Sequence, residues 1–426
     1  MKASPAAAAL HEAATGRSWS RTELAELGAT WAKENGDALA RRRVVFAEAN
    51  GPEWFRLFLG LLASDAIIVA LDPGEPLAAQ RATAKAIGAE FLWHDGQLER
   101  ISAAKRAARG PVRLIKLTSG TTGLPRALPF TDDQLLADGR QVCAAMGITP
   151  RDVNLACVPL GHSYGLGNLV LPLLAQGTAM ICGVPALPQA LAAAIALWRP
   201  TVFPAVPALL RVLAESEIAR ADLSSLRTVI SAGAPLPPEI AQVFQQKFGR
   251  KIHNFYGSSE TGGITYDRAG DAALTGGSVG RLIPGVKLRF GVGGRFWVTS
   301  PAVGGRGRFR PADHGELNEG GELVLLGRAG RMVKIAGRRL DLAEVERVLR
   351  QLPGVKDAHV AVHAARGDAL AAIVASRQTA VELREALRDR LAGWKIPKKI
   401  VTVTELPLTA RGKPDVRQLR KLLSGG

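Results

Sequence analysis

The sequence predicts an α/β protein: a large N-terminal domain of βα-layered subdomains with a small antiparallel region, then a small α+β domain at the C-terminus. Three observations carry that expectation. Helix-period and strand-period segments alternate up to about residue 255, as in parallel sheets flanked by helices. From Gly277 to Gly327 the texture changes to short strands and glycine-rich turns, as in GVGGRFWVTS and NEGGELVLLG. After Gly327 helices and strands resume over about 100 residues, enough for a separate domain. The boundary falls at Arg328–Arg331 within LGRAGRM and divides the chain into 1–328 and 329–426.

Ser20–Trp31 has helical spacing, with Thr22 as N-cap. Arg43–Glu48 reads as a strand, Pro52–Ala63 as an amphipathic helix and Ala66–Leu71 as a buried strand stopped by Asp72-Pro73-Gly74. Pro76–Gly88 is helical, and Glu90–Trp93 begins a further strand. The series continues with strand Leu114–Leu117, helix Asp132–Met146, strand Val153–Val158, helix Tyr164–Leu174, strand Ala179–Cys182 and helix Leu187–Trp198. Strands Thr201–Phe203, Val229–Ser231 and Lys251–Phe255 complete it. In the last 100 or so residues, Arg331–Ile335, Ala358–His363 and Ala369–Val374 read as strands, and Leu342–Leu352 and Ala380–Leu391 as helices.

At 426 residues, 47% hydrophobic and 22% charged, the composition is globular and excludes disorder, collagen and coiled coil as overall descriptions. Cys143, Cys157 and Cys182 are too few for a disulfide framework, and none has CxxC spacing. Reduced thiols in a cytoplasmic protein are expected. Leu57–Leu71 is broken by Ser64 and Asp65, and Leu166–Ile181 by Asn168, Pro172 and Gln176. Neither reaches the roughly 18 apolar residues of a membrane span. The apolar run Ala6–Leu10 is too short for the core of a signal peptide. The net charge is +17, of which residues 327–426 carry +11 through 21 basic and 10 acidic side chains. Such a balance suits a solvated basic surface or a phosphate-bearing small molecule. No nucleic-acid module is visible, so no nucleic-acid partner is expected.

Four segments carry chemistry. Thr118-Ser119-Gly120-Thr121-Thr122-Gly123-Leu124-Pro125-Arg126 follows a strand and is expected to lead into a helix. Its glycines let backbone N–H groups converge on an anion, and its hydroxyls add donors. It is not a Walker loop, which needs GxxxxGK[ST]. Asn254-Phe255-Tyr256-Gly257-Ser258-Ser259-Glu260 also follows a strand, with a ring able to stack on a base and a carboxylate able to hold a divalent cation. The third cluster is Asp313, Arg328, Lys334 and Gly337; the fourth is Pro407-Leu408-Thr409-Ala410-Arg411-Gly412-Lys413. Taken singly, each segment also reads as an ordinary turn or a solvated loop.

In order and spacing these segments resemble the adenylate-forming superfamily: acyl- and aryl-CoA ligases, nonribosomal adenylation domains and luciferases. Thr118–Arg126 is similar to its TSGTTGxPK loop, Tyr256–Glu260 to YGxTE, Asp313 to the TGD aspartate, Gly327–Glu346 to GRxxxxIKxxGxxVxxxEIE and Pro407–Lys413 to PxTxxGK. The resemblance spans about residues 15–420. It implies that a carboxylate attacks the α-phosphorus of ATP to give acyl-AMP and pyrophosphate. A thiol of CoA, or of a carrier protein's phosphopantetheine, then displaces AMP. By position, Thr118, Ser119, Gly120, Thr121, Thr122, Gly123 and Arg126 would hold the β,γ-phosphates, and Ala232, Gly233, Ala234, Asn254, Phe255, Tyr256 and Gly257 would line the adenine site. Ser259 would touch the α-phosphate, Glu260 Mg²⁺, and Asp313 and Arg328 the ribose. Lys413 would stabilise charge during adenylation. The family's small C-terminal domain is mobile, turning here about Gly330 so that Lys334 and Gly337 would face the thioester-forming site. Departures are Arg126 for the usual Lys, Ser259 for Thr, Gly330 for Asp or Lys, and missing length before Arg17 and between Trp93 and Leu114.

The substrate segment reads Pro159-Leu160-Gly161-His162-Ser163-Tyr164-Gly165. Ser163 stands where amino-acid-activating members carry Asp, so an α-amino acid is disfavoured, and His162 fits the aromatic gate of acyl- and aryl-acid ligases. Gly262 and Gly263 suggest room for an aryl ring or chain, leaving aryl, β-hydroxy and medium-chain fatty acids open. The same segment matches GxSxG, the nucleophile elbow of α/β-hydrolases, with Ser163 as nucleophile and His314, His359 or His363 completing a triad. That reading leaves Thr118–Arg126, Tyr256–Glu260 and Lys413 unexplained. A degenerate, non-catalytic nucleotide-binding relative is the third reading, against which Glu260, Asp313, Arg328 and Lys413 stand. Oligomeric state is not encoded in any of these segments.

Overall fold

The computed structural model describes residues 7–102, 110–119, 125–305, 307–328, 332–335, 338–363, 366–409 and 414–424. The chain forms two compact units. One comprises Met1–Arg289, Trp297–Arg310 and Leu317–Val324; the other comprises Phe290–Phe296, Pro311–Glu316 and Leu325–Gly426.

Two sheets organise the first unit. Among the described residues, one has six strands in the order Gln97–Arg100, Phe91–His94, Arg43–Phe46, Ile67–Ala70, Val112–Ser119, Pro125–Thr131. Its inner strands pair in parallel, and an antiparallel hairpin closes each edge. Val45, Val69, Leu92 and Ile115 pack with Ala84 and Ile87 from the region of helix Leu77–Ala86. The second sheet has nine strands in the order Arg281–Leu282, Gly262–Tyr266, Ile252–Ser258, Thr228–Ser231, Val202–Ala205, Val153–Leu155, Ala179–Cys182, Ala8–Glu12, Ser18–Ser20. Leu155, Phe203, Val229 and Ile252 bury against Leu210, Leu213, Ile240 and Phe244 from helices Pro207–Glu215 and Pro238–Phe248. The short ribbon Phe296–Thr299/Arg308–Phe309 belongs to the antiparallel region, with Val298 opposite Phe309.

Local chemistry sets the helix ends. Helix Arg21–Asn35 is capped by Ser20, not Thr22: Glu23 N–H donates to Ser20 Oγ at 3.1 Å and Ser20 N–H to Glu23 Oε2 at 2.7 Å. Helix Asp132–Met146 has the same box from Thr131 and Gln134, and Gly147 ends it at φ 64°. The stretch expected to be one helix over Tyr164–Leu174 contains a π turn, Leu166–Val170, just before Pro172, whose nitrogen has no hydrogen to donate. The phosphate-loop segment does not lead straight into a helix: strand Pro125–Thr131 intervenes before Asp132.

In the second unit, Val355–His363 pairs antiparallel with Arg366–Ser376, which pairs in parallel with Lys399–Val403. Val345 and Leu349 of helix Leu342–Arg350 and Leu383 and Leu387 of helix Ala380–Arg388 fill a core with Val360, Ala372 and Val374. Glu346 is buried there, where it accepts the Val360 N–H at 2.8 Å.

Candidate active site

Two hairpins in the first unit carry the first two motifs. The phosphate-loop hairpin pairs Thr118 with Arg126 and Ser119 with Pro125. Thr118 is half-buried and Arg126 exposed. Gly120, Thr121, Thr122 and Gly123 lie outside the described residues. The other hairpin pairs Tyr256 with Thr265 and Ser258 with Gly262, and Ser259, Glu260 and Thr261 form its turn. Thr261 closes that turn, its N–H donating to Ser258 O at 3.3 Å while its Oγ accepts the Ser258 N–H at 3.2 Å.

Packing dictates the glycines of this second hairpin. A Cβ on Gly257 would stand 2.3 Å from Gly262 O. Gly262 has φ +68°, and a Cβ there would meet Asp138 Oδ1 at 2.3 Å. A Cβ on Gly263 would meet the Phe255 ring and Ile283 at 2.8 Å. The space left by the missing side chains is therefore filled by the protein. Gly262 and Gly263 do not provide the room for an acyl group that the sequence suggested.

Strand Thr228–Ser231 runs parallel to Ile252–Ser258 with Ser231 opposite Asn254, so Ala232–Ala234 follow the end of the first strand while Phe255–Gly257 continue the second, paired with strand Gly262–Tyr266. In open α/β sheets ligands bind in crevices outside the carboxyl ends of the strands. Ala232 is buried, Gly233 and Ala234 are exposed, and Gly233 sits at φ +86° with a Cβ's nearest neighbour, Val206 Cγ1, at 3.8 Å. Asn254 Nδ2 donates to Ser278 O at 3.4 Å, and Phe255 lies 6.3 Å from the Tyr164 ring. Tyr164 is buried and donates to Ala205 O at 3.3 Å; burial pushes its hydroxyl pKa up strongly.

The Gly161–Gly165 segment meets this hairpin. His162 caps the turn that follows it, its Nδ1 accepting the Tyr164 N–H at 3.4 Å. Ser163 Oγ donates to Ser259 Oγ at 2.8 Å. Among the described residues, the hydroxyl of the GxSxG serine thus bonds to another serine hydroxyl. Asp313 begins strand Asp313–Leu317, Arg328 ends strand Leu323–Arg328 and Lys334 lies on strand Met332–Ile335, opposite Arg339. All three belong to the second unit; Gly330, Gly337 and Lys413 lie outside the described residues.

Sequence reasoning missed a buried ion pair that links the two hairpins. Lys116 Nζ stands 3.8 Å from Asp138 Oδ2, with both side chains 4% exposed, and 4.4 Å from the centre of the Phe130 ring. Burial lowers the Lys116 pKa, while Asp138 and Glu260 act in the opposite direction. Asp138 Oδ1 accepts the Gly263 N–H at 3.1 Å. From the same helix, Gln134 Nε2 donates to Val303 O at 3.0 Å and Gln141 Oε1 accepts from Ser300 Oγ at 3.1 Å. Two signals were present: a charge inside the apolar run Leu114–Leu117, and polar residues 134, 138 and 141 at one-face spacing.

The comparisons with known proteins meet this geometry. Residues 102–290 match the AMP-binding enzyme family, and residues 344–413 match the C-terminal domain of AMP-binding enzymes. An indoleacetate–CoA ligase of Aromatoleum aromaticum is 30% identical over 341 residues, 72% of this chain and 67% of that protein. The chain belongs to the AMP-binding enzyme family. A feruloyl-CoA synthase of Amycolatopsis is 30% identical over 71% of this chain and 68% of its own length. A p-hydroxybenzoic acid–AMP ligase of Mycobacterium tuberculosis is 31% identical, the match taking in 48% of its length. ATP-bound MatB from Rhodopseudomonas palustris shares the fold at a TM-score of 0.86 and 23% identity, covering 99% of this chain and 96% of MatB.

A fit to Mg²⁺ rests on the donor set. Among the described residues no group of three or more His, Cys, Asp or Glu side chains could hold a metal. Glu260 is half-buried, and among the described residues its carboxylate makes no hydrogen bond. One free carboxylate suits Mg²⁺, which keeps waters and takes its other ligands from substrate phosphates. Among the described residues no helix is long and apolar enough to cross a membrane.

Proposed function

We propose that this AMP-binding enzyme adenylates a carboxylic acid with ATP and passes the acyl group to a thiol. The carboxylate oxygen attacks the α-phosphorus and pyrophosphate leaves; the thiol sulfur then attacks the acyl carbon and AMP leaves. The observation that carries the reading is the meeting of the two hairpins on Asp138 and Lys116, beside the carboxyl ends of strands Thr228–Ser231 and Ile252–Ser258.

In this reading Thr118, Ser119 and Gly120–Gly123 give hydroxyl and backbone donors to the β,γ-phosphates, and Arg126 adds charge. Ala232–Ala234 and Asn254–Gly257 hold the adenine, Ser259 meets the α-phosphate, and Asp313 and Arg328 take the ribose. Bound Mg²⁺ would neutralise phosphate charge, with Glu260 as its protein ligand. His162 gates the acyl pocket; Lys413 serves adenylation, and Lys334 and Gly337 serve thioester formation after the domain of residues 329–426 turns about Gly330. The acid is aryl, hydroxy or fatty, in line with the aryl-acid names among the relatives, and the thiol is that of CoA or of a carrier protein's phosphopantetheine.

Acid-dependent ATP–pyrophosphate exchange across a panel of such acids tests the reading. One acid should support exchange. Lys413→Ala should lose exchange yet still form thioester from supplied acyl-adenylate. Normal exchange by that variant removes the role given to Lys413. Silence across the panel from folded, ATP-binding protein overturns the adenylation reading.

A further inference from the structure

A lysine inside an apolar strand is costly unless something repays its desolvation. Lys116 sits in Val112–Ser119 between Ile115 and Leu117, and is 6% exposed. Its ammonium rests on the Phe130 ring, contributed by the partner strand of the same hairpin. Its counter-ion Asp138 comes from the next helix, 3.8 Å away. The two groups form a neutral buried pair.

Each member of the pair touches the other hairpin. Asp138 accepts the Gly263 N–H, three residues beyond Glu260, and occupies the place where a Gly262 side chain would be. Phe130 lies against Gly304, where a Cβ would stand 3.2 Å from two ring carbons. Gly304 N–H in turn donates to the Glu260 carbonyl at 3.0 Å. The backbone of Glu260 is thus fixed on one side through Gly304 and Phe130, and the strand after it through Asp138. Both routes end at Lys116. Gln134, which holds Val303 O, pins the Gly304 segment to the Asp138 helix and closes the circuit.

From this geometry we propose that Lys116 and Asp138 are positioning residues for Glu260. They lock the strand that leads into the phosphate loop to the turn that carries the metal-binding carboxylate, so that phosphate donors and metal ligand keep one spacing. The proposal rests on the nucleotide-site reading given above. The pair does not touch nucleotide; it acts through Gly263, Phe130 and Gly304.

The test is binding of ATP with and without Mn²⁺ as the metal probe, by calorimetry and by the Mn²⁺ paramagnetic signal. Lys116→Met and Asp138→Asn should each weaken Mn²⁺–ATP binding about tenfold, as loss of outer-shell support does at metal sites. Binding of metal-free ATP should change by less than about threefold, because loop donors alone serve it. Lys116→Arg, which keeps a cation over Phe130, should recover most of the lost affinity. If a single variant does not fold, the paired Lys116→Met/Asp138→Leu chain replaces the ions by apolar groups and is read the same way. Folded variants with wild-type Mn²⁺–ATP affinity overturn the proposal, as does an equal loss with and without metal. Wild-type protein that binds Mn²⁺–ATP but exchanges pyrophosphate with no acid overturns the ligase reading and leaves the test of the pair standing.

Discussion

The two motif-bearing hairpins look alike in sequence, and their described parts differ in how closely they are packed. Both are antiparallel additions to a parallel sheet, and both motifs are rich in hydroxyls and glycines. In the Tyr256–Tyr266 hairpin the glycines answer to neighbours: Gly257, Gly262 and Gly263 each lie where a Cβ would stand less than 3 Å from another atom. In the Thr118–Arg126 hairpin Arg126 is exposed and Thr118 half-buried. The glycines of one motif thus report steric closeness, while those of the other, in the function proposed above, supply backbone donors. Composition alone does not separate the two.

The sharpest way to break that contrast is Gly257→Ala. The added methyl cannot occupy the position of Gly262 O, so the hairpin must open. Overpacking of this kind costs about 1–3 kcal/mol, and a displacement of about 1 Å at Glu260 suffices for a hundredfold loss of activity. Urea unfolding and pyrophosphate exchange should therefore fall together. A variant with unchanged midpoint and activity would mean the glycine is not sterically required.

Arg126→Ala should do the reverse. Arg126 is exposed, so the unfolding free energy measured in urea should change by no more than about 0.5 kcal/mol. Loss of a charge-assisted contact to a phosphate should lower kcat/KM for ATP about tenfold or more. Arg126→Lys, the residue usual in the resembling family, distinguishes charge from geometry. Full activity in the lysine variant makes charge alone sufficient. A fall in the urea midpoint matching that of Gly257→Ala would erase the contrast between the hairpins.

Much of the fold was legible. Helices Pro52–Ala63 and Asp132–Met146 and strand Ala179–Cys182 lie within the bounds read from the sequence, because capping residues and turn glycines mark their ends. Proline hid what was missed. Helices Pro207–Glu215 and Pro238–Phe248 begin at prolines, which suit a first turn but look like loop. Strand Pro125–Thr131 contains Pro125 and Pro129, tolerated because it is the last strand of its sheet and needs no donor on its open side. The hydroxyl- and glycine-rich site segments were legible because their chemistry is local. Lys116 and Asp138 were not, since 22 residues separate a pair that only the tertiary fold brings to 3.8 Å.

The smallest effect belongs to Ser163, the residue on which the ligase and esterase readings divide. Its Oγ donates to Ser259 Oγ across the gap between the Gly161–Gly165 segment and the Glu260 turn. Ser163→Ala removes one neutral hydrogen bond, worth about 0.5–1.5 kcal/mol. The remaining fasteners of the turn, Thr261 to Ser258 and Gly304 to Glu260, stay in place. Exchange should stay within about threefold of wild type, and the urea midpoint should shift only slightly. A nucleophilic serine predicts complete loss instead, because the covalent step would have no oxygen to form it. A partial loss of exchange that Ser163→Thr restores would give the hydroxyl a share in holding Ser259. The Tyr256–Tyr266 hairpin would then depend on a polar contact as well as on the fit of its glycines.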